Sequence, residues 1–157
     1  MKLIDLFESN IGQGYGSVQL NKQSSINIKS ILKTLKISDI IDDLHVTLIY
    51  DQSNPKINID IDDSIEYESS IKDIKMLGEP NTKWYAIALT LSSSDLVNRH
   101  KDYIKKGFKH SYPNFIPHLS LKYNPSEEDI KTITKNLKLF KDIKLIFSGE
   151  KLKKIKE

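Results

Sequence analysis

The chain has 157 residues, of which 38% are hydrophobic and 29% charged, with a net charge of +3 and no cysteine. This length fits one domain with a substantial core, so we expect a single domain over residues 1–157. The net charge is too small to indicate a general binder of long nucleic acids, and the lack of cysteine excludes disulfides, a thiol nucleophile and thiolate zinc sites.

The N-terminal segment carries charged residues where a secretory signal needs an apolar stretch. Asp5 and Glu8 interrupt residues 1–10, and no later apolar run is long enough to cross a bilayer. We therefore expect a cytoplasmic protein without a membrane partner. The sequence does not indicate its oligomeric state.

Residues 12–16 are rich in glycine and predict a mobile loop, which is followed by a short strand at 17–20. Ser24 or Ser25 then predicts the N-cap of a helix. The apolar residues of that helix recur with helical spacing at Ile28, Ile31, Leu32 and Leu35.

Runs rich in aliphatic and aromatic residues predict strands at 45–50, 71–77, 83–91, 118–123 and 143–148. A helix is predicted at 95–106, with Ser94 as its N-cap and Gly107 beyond its end. Another begins after Ser126, where Ser126 and Asp129 form a capping box and Ile130, Ile133 and Leu137 form an apolar face. Strands and helices mix without strict alternation, which favours an α+β fold.

One short pattern occurs twice, as His45-Val46-Thr47-Leu48-Ile49-Tyr50 and as His118-Leu119-Ser120-Leu121-Lys122-Tyr123. Because strand side chains alternate between faces, His45 and Thr47 share one face of the first strand. His118, Ser120 and Lys122 share one face of the second. Two imidazoles and two hydroxyls line one cleft if the strands lie side by side, and Lys122 adds positive charge there.

These residue types suit cleavage of a 3′–5′ phosphodiester without a metal or other cofactor. One imidazole takes a proton from the nucleophile and the other protonates the leaving 5′ oxygen, because histidine titrates near neutral pH. Thr47 and Ser120 are expected to hydrogen-bond the nonbridging oxygens in the transition state. We expect the substrate's 2′-OH to attack and form a 2′,3′-cyclic phosphate. The two equivalent motifs leave open which histidine is the base.

The two His-x-Thr/Ser strands resemble the 2H phosphoesterase superfamily, which includes RNA ligase-like 2′,5′ phosphodiesterases and cyclic phosphodiesterases. The segment Phe115-Ile116-Pro117-His118-Leu119-Ser120-Leu121 is similar to the second motif of that superfamily. The resemblance implies two pseudo-symmetric lobes of antiparallel sheet, with helices outside and a central cleft. It also implies a catalytic set of His45, Thr47, His118 and Ser120.

A narrower resemblance is to the phage anti-CBASS nucleases of T4-like phages, which destroy cyclic oligonucleotide immune signals. It rests on the stretches Gly14-Tyr15-Gly16-Ser17-Val18-Gln19-Leu20, Asp42-Asp43-Leu44-His45-Val46-Thr47-Leu48 and Pro80-Asn81-Thr82-Lys83-Trp84-Tyr85. This resemblance implies a partner that is a 3′–5′ linked cyclic di- or trinucleotide. It also implies aromatic residues that stack on bases, for which Tyr15 and Trp84 are the candidates.

Several other polar residues have two possible interpretations. Glu150 accepts a hydrogen bond from a base edge, or it is an exposed carboxylate. The lysines of residues 151–156 form a solvated end, or a tail that closes over an anionic ligand. His100 and His110 are expected at the surface, because they lie outside the repeated pattern. The four histidines lack His-x-x-x-His spacing, so no metal site is expected.

Two other functions remain open at this point. An RNA-processing phosphodiesterase would act on 2′,5′ linkages or on terminal 2′,3′-cyclic phosphates. A sponge would bind cyclic nucleotides without cleaving them. Cleavage of substrate by the protein in the presence of a chelator distinguishes an enzyme from a sponge.

Overall fold

Six strands form a single antiparallel sheet in the computed structural model, which describes residues 12–112 and 114–156. The strands are β1 Tyr15–Leu20, β2 His45–Tyr50, β3 Tyr67–Leu77, β4 Ala86–Ser92, β5 His118–Tyr123 and β6 Leu145–Lys153. Their order across the sheet is β2-β1-β6-β3-β4-β5, and every neighbouring pair is antiparallel. The N-terminal residues considered above for a signal peptide lie outside the described residues.

Four helices accompany the sheet in the described part of the chain. They are α1 Lys22–Thr34, α2 Ser94–Lys106, α3 Glu127–Lys135 and α4 Leu137–Lys141. None of these helices is long and apolar enough to span a membrane. The predicted α+β class with an antiparallel sheet is confirmed, whereas the division into two pseudo-symmetric lobes stays a prediction.

The cap of α1 differs from the predicted one. Asn21, and not Ser24 or Ser25, is the N-cap, because its side-chain oxygen accepts a hydrogen bond from Ser24 N at 3.0 Å. Ser24 is buried, and its hydroxyl accepts instead from Ile146 N of β6 at 3.1 Å. Ser24 thus ties the helix to the sheet.

The other helix ends follow the predictions with two corrections. Ser93 caps α2 in place of Ser94, and Gly107 ends that helix at a φ of 112°, which a glycine adopts without strain. Ser126 caps α3 as predicted. Leu137 begins the separate short helix α4 and does not continue α3.

The glycine-rich segment is more ordered than a mobile loop. Tyr15 and Gly16 belong to β1, so the prediction is wrong for these two residues. Gly14 hydrogen-bonds through its backbone to Lys153 and Asp51, at 3.1 and 2.8 Å. A Cβ on Gly14 would lie 1.9 Å from the carbonyl oxygen of Asp51, so this close approach requires glycine.

Strands β2 and β5 have the predicted bounds, and they lie at opposite edges of the sheet. The sheet curves so that these edges meet, with Cα atoms of the two strands within 8 Å of each other. The segment just before β2 is joined to β5 by a hydrogen bond from Ile41 N to Leu121 O at 2.8 Å. The curvature therefore brings the two copies of the repeated pattern together.

The hydrophobic core stabilises this curvature, because β2 and β5, the strands of the repeated pattern, both contribute fully buried residues to the core. Val46 and Leu48 of β2 and Leu119 and Leu121 of β5 have no exposed surface. They belong to the same core cluster as the central strands and the helices. Burial of each such side chain stabilises the fold by roughly 1.5–3 kcal/mol.

Candidate active site

His45 and His118 are anchored in the same way at the starts of β2 and β5. The Nδ1 atom of His45 lies 2.8 Å from Asp43 O, and that of His118 lies 2.8 Å from Ile116 O. A backbone carbonyl only accepts hydrogen bonds, so Nδ1 carries a hydrogen in both rings. Each neutral ring therefore presents an unprotonated Nε2, which is the nitrogen available for proton transfer.

The hydroxyl of Tyr15 lies against Nε2 of His45. Tyr15 Oη is 3.0 Å from His45 Nε2, and Thr47 Oγ1 donates to Tyr15 Oη at 3.2 Å. When His45 is neutral, a chain of hydrogen bonds runs from Thr47 through Tyr15 to the imidazole. The sequence predicted a stacking ring at Tyr15 and missed its hydroxyl, because no local pattern links β1 to β2.

Nε2 of His118 has no hydrogen-bond partner among the described residues. Burial lowers the pKa of its imidazole; the hydrogen bond to Ile116 opposes this shift, and the nearby His45 adds to it. His118 is therefore neutral near pH 7 and able to accept a proton.

The two hydroxyl residues follow the histidines on the same strands. Thr47 and Ser120 are both half-buried, as are His45 and His118. Ser120 pairs with Ala88 of β4, and its side chain has no hydrogen-bond partner in the described parts of the chain. Two imidazoles and two hydroxyls of this kind can move protons and donate hydrogen bonds to an anionic group.

Lys122 does not share the face of His118 and Ser120. In β5 the ladder shifts by one residue, because Ile87 pairs with Lys122 while Ala88 pairs with Ser120. Leu121 is therefore an extra residue, and such a bulge interrupts side-chain alternation. The ammonium of Lys122 forms an ion pair with Asp129 of α3, at 2.7 Å. The expected charge contribution of Lys122 to the cleft is thus corrected.

Trp84 lies before β4 and not within it. Its side chain is 62% exposed, which excludes a place in the core. Its ring packs edge-on against Tyr123 with centroids 5.7 Å apart, and the ammonium of Lys83 lies 4.9 Å from its centroid. Trp84 is available to a ligand, next to the end of the second motif strand.

Glu150 is neither an exposed carboxylate nor a free acceptor. Its side chain is completely buried and forms an ion pair with Arg99 at 2.8 Å. The hydroxyls of Tyr67 and Tyr103 donate to its two oxygens at 2.6 and 2.5 Å. Burial, followed by these bonds to Glu150, raises the pKa values of both tyrosines. This arrangement assigns Glu150 a structural role.

His100 and His110 are half-buried, which corrects their predicted surface position. Their ring centroids are 5.0 Å apart, and the ring of Phe115 stacks on His100 at 3.9 Å. Burial lowers the pKa values of both histidines, and the pKa of His110 is lowered further by His100. This cluster, His100, His110 and Phe115, packs the segment that precedes His118.

The lysine-rich end is partly a strand. Lys151 and Lys153 belong to β6, so residues 151–153 are not a free tail. The ammonium of Lys153 lies 5.4 Å from the centroid of the Tyr15 ring, within the range of a cation–π contact. One lysine of this segment therefore lies beside the site. Within residues 12–112 and 114–156, no three metal-binding side chains are grouped closely enough to hold a metal.

The sequence is similar to known phage proteins over most of its length. Residues 13–157 match the sequence profile of a family described as Anti-CBASS protein Acb1. The chain is also 30% identical, over 127 residues, to the Anti-CBASS protein Acb1 of Vibrio phage KVP40. That alignment covers 79% of this chain and 80% of the phage protein.

Proposed function

The chain belongs to the Anti-CBASS protein Acb1 family, and from this we propose that it is a viral immune-evasion enzyme that cleaves cyclic oligonucleotides. Its substrates are 3′–5′ linked cyclic di- and trinucleotides, and it uses the two-histidine chemistry of the 2H phosphoesterases in a two-lobed fold. One observation carries the proposal. Two equally anchored imidazoles present Nε2 from the two opposite sheet edges that the curvature brings together, and a hydroxyl residue lies two positions after each of them.

We assign the base to His118 and the acid to His45. The lowered pKa and free Nε2 of His118 support this choice, because a base must be neutral before the reaction. His118 removes the proton from the substrate's 2′-OH, and the 2′ oxygen forms a bond to phosphorus. The bond from phosphorus to the 5′ oxygen breaks, and that oxygen takes a proton from His45. The first product carries a 2′,3′-cyclic phosphate, which water then opens by adding to phosphorus and breaking one of the two ring P–O bonds.

The hydroxyl residues stabilise the charge that develops on phosphorus. Thr47 and Ser120 donate to the nonbridging oxygens, as positioned donors do in other phosphoryl and acyl transfers. In the free protein Thr47 donates to Tyr15, so substrate binding redirects this bond. The chemistry needs only side chains of the protein.

The decisive experiment is incubation with cyclic dinucleotides, cyclic trinucleotides and linear RNAs in EDTA, followed by mass analysis of the products. We expect multiple turnovers on cyclic substrates, with a transient cyclic phosphate end. Stoichiometric binding without product would instead indicate a sponge. Cleavage confined to linear RNA or to 2′,5′ linkages would indicate an RNA-processing enzyme.

A further inference from the structure

The repeated pattern ends in a tyrosine that the two-histidine mechanism does not use. Tyr50 lies five residues after His45, and Tyr123 lies five residues after His118. In a regular strand, residues five positions apart face opposite sides. Simple alternation would therefore turn both tyrosines away from the catalytic histidines.

A bulge in each motif strand reverses this outcome. Where β2 pairs with β1, Ile49 lies opposite Gly16 and Thr47 lies opposite Ser17. Leu48, between them, has no partner in β1 and is the extra residue of a bulge. The bulge at Leu121 in β5 occupies the equivalent position. One extra residue shifts the alternation by one, so each tyrosine returns to the face of its histidine.

Both bulges are fixed by hydrogen bonds from outside the sheet ladder. The carbonyl of Leu48 accepts from Nδ1 of His100 at 2.6 Å. The carbonyl of Leu121 accepts from Ile41 N at 2.8 Å. Helix α2 and the segment before β2 thus supply hydrogen-bond donors to the carbonyls of the two bulged residues. These donors stabilise both bulges in the folded protein.

The two tyrosines make the same contact with the two candidate stacking rings. Tyr50 packs edge-on against Tyr15 with centroids 5.7 Å apart and planes at 76°. Tyr123 packs edge-on against Trp84 with centroids 5.7 Å apart and planes at 74°. Edge-to-face packing of this kind is favourable, because the positive edge of one ring meets the negative face of another.

A lysine accompanies each of these aromatic pairs. Lys153 lies over Tyr15 and Lys83 lies over Trp84, at 5.4 and 4.9 Å from the ring centroids. The strands that carry Tyr50 and Tyr123 lie close together, with Cα atoms within 8 Å. The pKa of Tyr15 is raised mainly by burial, and the phenols of Tyr123 and Tyr50 contribute further. Each half of the site thus holds an aromatic pair and a cation.

We propose that Tyr50 and Tyr123 are base-positioning residues that hold the rings of Tyr15 and Trp84 for two nucleobases, one on each side of the scissile phosphate. The inference rests on the proposed function and specifies its ligand as an oligonucleotide with two bases bound at once. Stacking tolerates different bases, so these residues control affinity and the number of bases engaged more than base identity.

The test measures binding of 3′,3′-cyclic di-AMP in a His118→Ala background, which prevents turnover. Tyr50→Leu and Tyr123→Leu each remove an aromatic edge, whereas Tyr50→Phe and Tyr123→Phe keep it and are the matched controls. We expect each Leu variant to weaken binding about threefold to tenfold, as the loss of one aromatic pair predicts. The Phe variants should retain affinity, and thermal melts verify that every variant is folded.

Two results would overturn the inference while leaving the proposed function intact. One is unchanged affinity in folded Leu variants. The other is a loss of affinity in Lys122→Met together with unchanged affinity in Tyr123→Leu. Without a bulge in β5, simple alternation would place Lys122, and not Tyr123, on the face of His118, and it would predict this result. If the protein with native tyrosines neither binds nor cleaves any cyclic oligonucleotide, the proposed function fails and this inference falls with it.

Discussion

The hydroxyl of Tyr15 lies 3.0 Å from Nε2 of His45, so one histidine of the repeated pattern is hydrogen-bonded to β1 in the free protein. The other histidine, His118, has no such partner among the described residues. The two histidines are therefore anchored alike through Nδ1 and differ at Nε2. This difference supports separate roles for the two rings, and it can be tested.

Replacement of His45 or His118 should greatly reduce turnover. His45→Ala and His118→Ala each remove one proton-transfer step, and we expect rates to fall by roughly a hundred- to ten-thousand-fold. Product formation measured under multiple turnover checks this. His110→Asn is the matched histidine control and should retain the rate at a temperature where it is folded. Rates close to the native one in either alanine variant would refute the mechanism.

Loss of the Tyr15 hydroxyl should affect the chemical step more than binding. In Tyr15→Phe the ring remains but the bonds to His45 and Thr47 are lost. We expect kcat to fall about twofold to tenfold, the size of one net hydrogen bond, with little change in KM. Tyr15→Leu should also raise KM, because it removes the ring. An equal effect of both variants on KM would contradict the separate roles of ring and hydroxyl.

The buried ion pair around Glu150 should dominate the effect of mutations on stability. Glu150→Gln removes the buried carboxylate and leaves Arg99 paired only with the exposed Asp102 at 3.4 Å, so we expect a loss of about 3 kcal/mol in the free energy of unfolding. Urea denaturation measures this loss. Glu68→Gln is the control, because Glu68 forms an exposed pair with Lys144 and should contribute little. Equal stability of the two variants would show that the Glu150 network is not structural.

Stability should decrease as the pH falls below about 6.5, the ordinary pKa of histidine. His100 and His110 have lowered pKa values in the folded protein, so the unfolded chain binds protons first as the pH drops. Unfolding is therefore favoured at mildly acidic pH. Thermal melts between pH 7.5 and 5.5 measure the decrease. His110→Asn should show a smaller decrease, and an unchanged slope would exclude His110 as its source.

The sequence by itself determined the local features of this protein. Period-two patterns specified β2 and β5 to the residue, and Ser126 and Gly107 marked helix ends, because these signals depend on neighbours in the chain. The duplicated His-x-Thr/Ser pattern also predicted a pair of strands that bring His45 and His118 to one cleft, and β2 and β5 do lie close together.

Only the tertiary structure decided which residues surround that pair. A bulge depends on the register with the neighbouring strand, so alternation alone misplaced Lys122 and overlooked Tyr50 and Tyr123. Glu150 looked like a surface carboxylate, yet Arg99 and two tyrosines from distant elements bury it. Strand periodicity is local, whereas bulge position and charge burial are set by groups that meet only when the sheet curves and the helices pack on it.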